Sequence, residues 1–169
     1  MAPVLERRPS AVPKGSEIDH EVVEMAEPQH PKCCQIFDYW RARRRSDGLL
    51  SRCDFNPLDM PRLMGGMFVV EPVDGGLDMR YRLVGAANER RLGMTFTGRL
   101  FSECYIAHMA SIQIALHNRV MEARMPAVLR GRFLGVDLEY ARFEAIYLPA
   151  LAETGLQVIG GLYDLARPD

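Results

Sequence analysis

Between Met79 and Leu100 the chain changes its hydrophobic period twice, and nothing else in it constrains the fold as strongly. Met79-Arg80-Tyr81-Arg82-Leu83-Val84-Gly85 alternates apolar and charged side chains, the pattern of a strand with one buried face. Ala87-Asn88-Glu89-Arg90-Arg91-Leu92-Gly93 then reads as a short helical turn stopped by glycine. Thr97-Gly98-Arg99-Leu100 is a second glycine-marked turn, ahead of a new apolar segment. A strand that hands over to short helical turns leaves a space between sheet and helices. Such a space suits a sensing or docking module better than an enzyme.

The rest of the chain supplies partners for that strand. Met67 to Glu71 is apolar almost throughout and reads as a strand, joined to the first by a hairpin at Asp74-Gly75-Gly76. A helix over about His108 to Arg124 carries Met109, Ile112, Leu116, Val120 and Ala123 as its apolar stripe and stops before Pro126. Three strands follow, over Val128 to Leu134, 140–148 and Leu156 to Leu165. In the middle one Phe143, Ala145 and Tyr147 share one face and Arg142, Glu144, Ile146 and Leu148 the other, so something must cover both faces near its end. Gly160-Gly161 inside the last strand points to a bulge or a close approach.

Upstream, Cys33, Ile36, Phe37 and Trp40 fall on one face of a helix over 33–46, whose end gathers Arg41, Arg43, Arg44 and Arg45 against the negative end of the helix dipole. This helix or a second copy of the chain is the candidate cover for the free sheet face. Asn56-Pro57-Leu58-Asp59 starts another helical segment, with Asn56 as its cap. Residues 1–30 read as a disordered tail punctuated by prolines, with a brief helical turn at Val22, Val23 and Met25. The chain therefore divides into a tail over 1–30, a helical cap over 31–66 and a core over 67–169.

Composition narrows the function. The 169 residues favour one domain, and 48% apolar residues suffice for a core. A net charge of -1 argues against a general nucleic-acid binder. The four cysteines, Cys33, Cys34, Cys53 and Cys104, form no C-x-x-C pair and read as thiols in a reducing cytoplasm. No apolar run approaches the ~18 residues of a membrane span, and the N-terminus has no secretory h-region, so the expected location is the cytosol. No Ser-His-Asp or Cys-His spacing and no phosphate-binding glycine loop appears, so the chain reads as a non-enzyme.

The order of two strands, short helices, one longer helix and three strands resembles the PAS fold. The Asn88…Leu92-Gly93…Thr97-Gly98 run looks like a compressed form of a stretch common in that family. Tyr39-Trp40, Arg52-Cys53-Asp54-Phe55-Asn56-Pro57, Arg80-Tyr81-Arg82-Leu83-Val84-Gly85 and Leu148-Pro149 are similar to a mostly alphaproteobacterial group of often single-domain PAS proteins, with Ser51 where that group often has proline. The resemblance covers 34–165. It implies an α+β fold, a five-stranded antiparallel sheet with helices packed on one face, plus the N-terminal helix.

The resemblance also implies a role in signalling. The leading expectation is a stand-alone adaptor without an output domain of its own, which touches signalling proteins such as histidine kinases and forms a homodimer. The surfaces for this are Phe37 and Trp40 on the early helix, and Arg80, Arg82, Arg130, Arg132 and Arg142 projecting together from the sheet, where guanidinium groups bind carboxylate or phosphate. The alternative is a small-molecule sensor with Tyr81, Leu83, Leu92, Met109, Leu116, Leu129, Phe133 and Tyr147 around a pocket. A third reading takes His117 as a heme ligand, as in some PAS sensors. Its position about 100° beyond Leu116 puts it at or past the edge of the apolar stripe, as a boundary or surface histidine. Asn88 is followed by Glu89, so the Asn-Cys-Arg context of flavin photochemistry is missing, and Cys104 reads as a buried apolar residue. No cofactor is expected.

Overall fold

The alternating segments pair into one sheet. The computed structural model describes residues 17–18, 23–25, 27–134 and 142–165, with the backbone alone for 17, 18, 23, 24, 133 and 134. In chain order the elements are β1 (Glu17–Ile18), β2 (Val23–Met25), α1 (Pro31–Arg43), β3 (Leu50–Ser51), β4 (Met67–Val73), β5 (Asp78–Val84), α2 (Ala86–Leu92), α3 (Phe101–Cys104), α4 (Ala107–Ala123), β6 (Ala127–Leu134), β7 (Arg142–Ala152) and β8 (Gly155–Asp164). Single 3-10 turns at Arg52–Asp54, Pro57–Asp59 and Met64–Gly66 link β3 to β4, and another at Asp74–Gly76 links β4 to β5.

The strand order is β1-β6-β7-β8-β4-β5, and its five long strands run antiparallel throughout, as the resemblance implies. Val23 to Met25, expected as a helical turn, instead extends along β6, with Met25 opposite Val128. Three residues cannot close a stable helical turn by themselves, whereas the edge of β6 offers a ready ladder.

The strands of this sheet divide their side chains between two cores. Phe68, Val70, Phe143, Ala145, Tyr147 and Val158 pack on one side under α3 and α4. Met67, Val69, Ile146, Leu148, Ala150 and Ile159 pack on the other under α1. The early helix thus covers the second face of the sheet within the same chain. Trp40 is 1% exposed there, and its indole N–H donates to the Pro149 carbonyl at 3.2 Å. The Tyr39 hydroxyl donates to the Asp59 carboxylate and accepts from the backbone N–H of Asn56, both at 3.0 Å. The separated sequence motifs around Tyr39-Trp40, Asn56-Pro57 and Leu148-Pro149 are one assembly in space.

Gly160 and Gly161 give the sheet its closest approaches. A Cβ on Gly160 would lie 2.3 Å from the Phe68 ring, and one on Gly161 would lie 2.8 Å from Ile36 of α1. The glycine pair therefore admits one large side chain on each face.

Glu144 holds α1 at its other end. It is fully buried, pairs with Arg130 opposite it on β6 at 2.8 Å, and accepts from the backbone N–H groups of Gln29 and His30 at 2.9 and 2.7 Å. His30 is the N-cap of α1, so the carboxylate sits where the helix dipole is positive. Replacing Glu144 with Ala leaves two N–H groups and one guanidinium without their acceptor, and we expect it to cost about 3 kcal/mol. Urea unfolding followed by Trp40 fluorescence measures this; a loss under ~1 kcal/mol contradicts the assignment.

Candidate functional site

The space between sheet and helices exists, as a cavity of about 50 Å³ on the α4 side. Its apolar walls are Phe68 from β4, Val84 from β5, Leu92 from α2, Phe96 from the following loop and Leu162 from β8. Its polar groups come from Tyr81, Asn88, Arg91, Tyr105, Gln113, His117 and Tyr147.

Local sequence positions these groups. A bulge lies between β4 and β5, where Val69 faces Leu83 but Val70 faces Tyr81, so Arg82 is the extra residue. The bulge breaks the alternation. Tyr81 stays with the cavity, Leu83 turns outward at 47% exposure, and Val84 takes its place on the wall. Gly85 follows, and only glycine fits: a Cβ there would lie 2.3 Å from the Met64 carbonyl oxygen. The Asn88 amide donates to the Gly66 carbonyl at 2.8 Å and ties α2 to the start of β4. Gly93 ends α2 at φ 74°. Glu89 fixes the next loop, accepting from the backbone N–H groups of Phe96 and Thr97 at 3.0 and 3.2 Å. Glu89 was not singled out in the sequence, although its spacing to the glycine-marked turn carried the signal.

The buried face of α4 is rotated relative to the sequence stripe. It runs through Met109, Ala110, Gln113, Leu116, His117, Val120 and Met121, while Ile112 is 38% exposed and Ala123 is exposed. His117, expected at the boundary or surface, is 1% exposed. The reason lies in the cavity, which makes room on the sheet side of α4 for two polar side chains. The His117 Nδ1–H donates to the Gln113 carbonyl at 2.7 Å, which fixes the tautomer and leaves Nε2 with a lone pair. That Nε2 is buried without a partner. The rings of Phe68, Phe101 and Tyr147 surround the imidazole at centroid distances of 6.5, 5.0 and 5.2 Å.

Apart from Arg91 at its margin, the cavity lining is uncharged. Burial lowers the His117 pKa to about 4, keeping the ring neutral. Burial likewise raises the phenols of Tyr81 and Tyr147, and pushes Tyr105 up to about 12. The Tyr81 and Tyr105 hydroxyls bond each other. Arg91, at the margin, gives its guanidinium to Asp164 at 2.7 Å. Burial pushes the Cys104 thiol up to about 12, so it stays protonated and inert.

Of the residues expected around a pocket, Tyr81, Leu92 and Tyr147 line this cavity. Met109, Leu116 and Leu129 belong to the same core but do not line it. Leu83 points away, and the Phe133 side chain lies outside the described residues. The expected surface residues are also dispersed. Trp40 is buried and Phe37 half-buried against it, their rings stacked at 6.1 Å, so neither offers a free face. The arginines do not project together: Arg80 and Arg82 lie on β5 beside Glu71, at 3.7 and 3.8 Å, while Arg130, Arg132 and Arg142 lie on β6 and β7, with β8 and β4 in between. Alternation assigns a face to each residue but carries no strand order. A heme does not fit here, because a cavity of about 50 Å³ is far below the several hundred Å³ of ordinary cofactor sites. Among the described residues no cluster of three or more His, Cys, Asp or Glu side chains could hold a metal ion.

The neutral buried histidine has a pH signature. Its folded pKa, about 4, lies below the ordinary 6.5, so between those values the unfolded chain binds a proton that the folded chain does not. Stability therefore falls as pH drops from 6.5 to 4, by roughly 3 kcal/mol from this group. Urea unfolding across that range should show a loss in the native protein that is smaller by about that amount in His117→Phe; equal slopes would contradict the placement of His117.

A family model described as a PAS domain matches residues 28–163. Comparison with curated proteins and with solved structures gave no match. The matched range takes in α1 and the turns after it as well as the sheet and its helices. With most of its length inside that range, and with the antiparallel sheet and its helices in the order described above, the chain belongs to the PAS domain family.

Proposed function

We propose that the protein is a sensory module in signal transduction, whose cavity between sheet and α4 takes a small molecule and whose output passes by contact with a signalling protein. PAS domains serve in signal sensing and transduction and are generally not catalytic. The observation that carries the ligand half of this reading is His117 Nε2, an acceptor sealed inside the fold with no donor. A buried unsatisfied acceptor costs about 1–3 kcal/mol, and structures retain such a cost where something else satisfies it.

Support for the output half comes from the family, whose domains serve in signal transduction. Histidine kinases or related regulators are the partner class we favour, with the protein acting as a homodimer. A dimer through the sheet face under α1 would require α1 to leave it. No helix among the described residues is long and apolar enough to cross a membrane. All four cysteines are free thiols, which suits the reducing cytoplasm.

Native mass spectrometry of the purified protein tests the ligand half. The expected result is an adduct of low mass that disappears on mild activation and is lost in a Tyr147→Trp variant that fills the cavity. A protein of bare sequence mass, with a slowly exchanging and unperturbed His117 environment on addition of cell metabolite extract, would remove the support for sensing through this cavity.

A further inference from the structure

The cavity's chemistry specifies its occupant more closely than a sensing role does. Resting on the reading that the cavity is a sensing site, we propose that its ligand is a small, uncharged, single-ring molecule bearing one N–H or O–H group, which donates to His117 Nε2.

Size comes first. A cavity of about 50 Å³ is roughly a third of the ~150 Å³ that takes a benzene ring, so a single six-membered ring is the upper bound and enters only as the side-chain walls give slightly. Anything larger, such as a nucleotide, would have to push the walls apart. The walls themselves are aromatic: Phe68, Tyr81, Phe96, Tyr105 and Tyr147 all face it. Phe68 meets Tyr81 edge-on at 6.5 Å and Tyr147 tilted at 5.6 Å, so the rings already stand at the angles from which a further ring is contacted by edge or face.

Charge comes next. The guanidinium of Arg91 is engaged by Asp164 and by the Asn88 side-chain oxygen, and no carboxylate lines the space. A cation would meet no carboxylate, and an anion would have to draw the one cationic group, Arg91, away from Asp164, while the rest of the wall is neutral phenol, amide and imidazole. The raised phenol pKa values and the lowered imidazole pKa agree with this neutral interior.

Polarity is set by one atom. The tautomer fixed by Gln113 makes Nε2 an acceptor, so the ligand must bring the donor. Nε2 is buried, and the rings of Phe101 and Tyr147 stand 5.0 and 5.2 Å from the imidazole, so a donor would reach it only with a side-chain shift in this cluster. Tyr147 lies on β7 between Ile146 and Leu148, both packed under α1 on the opposite face. A shift of Tyr147 on ligand entry would therefore move a residue whose direct chain neighbours support the outer helix.

Three ring probes of similar size test the proposal on the full-length protein: phenol, fluorobenzene and benzoate, titrated by calorimetry and by ¹⁵N spectra of the histidine rings. The expected order has phenol binding about tenfold tighter than fluorobenzene, with benzoate not binding, and the His117 Nε2 resonance moving on phenol addition. In His117→Phe the phenol advantage disappears while fluorobenzene binding is kept. Fluorobenzene equal to phenol, benzoate the tightest of the three, or an Nε2 signal unmoved at saturating phenol each overturns the proposal, and the wild-type comparison does so even if the variant does not fold. If no ring probe binds but native mass spectrometry finds a retained small molecule, the ligand class is wrong and sensing stands. If neither is found, both readings fall.

Discussion

The double burial of β7 is the constraint on which the rest of the structure depends. From Phe143 to Ala150 every residue of that strand is buried, so neither face can be left to water. One face needs α3 and α4, and the other needs α1. The strand also carries Glu144, a carboxylate that would be ruinous on a dry face without partners. Its partners are Arg130 and the two N–H groups that lead into α1, so the charge that makes the outer face difficult is the group that fixes the helix covering it. The pair is a registry device: a one-residue slip of β6 against β7 would part the ion pair and turn Arg130 to the other face, leaving Glu144 buried without its cation.

Much of this was legible in the sequence, and the failures have physical causes. The long strands and α4 follow from hydrophobic period and from glycine and proline punctuation, and their observed bounds lie within a few residues of the expected ones. The both-faced apolar end of β7 was visible as a strand needing two covers, and the early helix was one of two candidates for the second. Strand order was not visible, because alternation says which face a side chain takes and nothing about which strand lies beside it. That is why five arginines read as one surface separate into two groups. The bulge at Arg82 was not visible either, and it exchanges Leu83 for Val84 on the cavity wall. On α4 a purely hydrophobic stripe put Ile112 inside and His117 at the edge. Packing reversed this because the cavity rewards polar groups at Gln113 and His117 that a dense apolar core would not.

The cavity and the outer helix are therefore linked through a single strand's alternation. Tyr147 belongs to the inner core and Ile146 and Leu148 to the outer one, and the backbone between them is fixed by ladder hydrogen bonds to β6 and β8. Gly160, opposite Tyr147 on β8, has room on its inner side only for the Phe68 ring, and Gly161, opposite Ile146, has room on its outer side only for Ile36 and Tyr163. A close-packed interior transmits a displaced ring because no free volume is available to absorb it. The cavity beside β7 is a place where the inner core has room to rearrange without breaking the sheet. A molecule that filled it, as proposed above, would change the positions open to Phe68 and Tyr147, and through the glycine pair the seat of Ile36. Coupling of this kind needs α1 to have two arrangements on the sheet. The Glu144 and Trp40 contacts, at opposite ends of the helix, define the first of them.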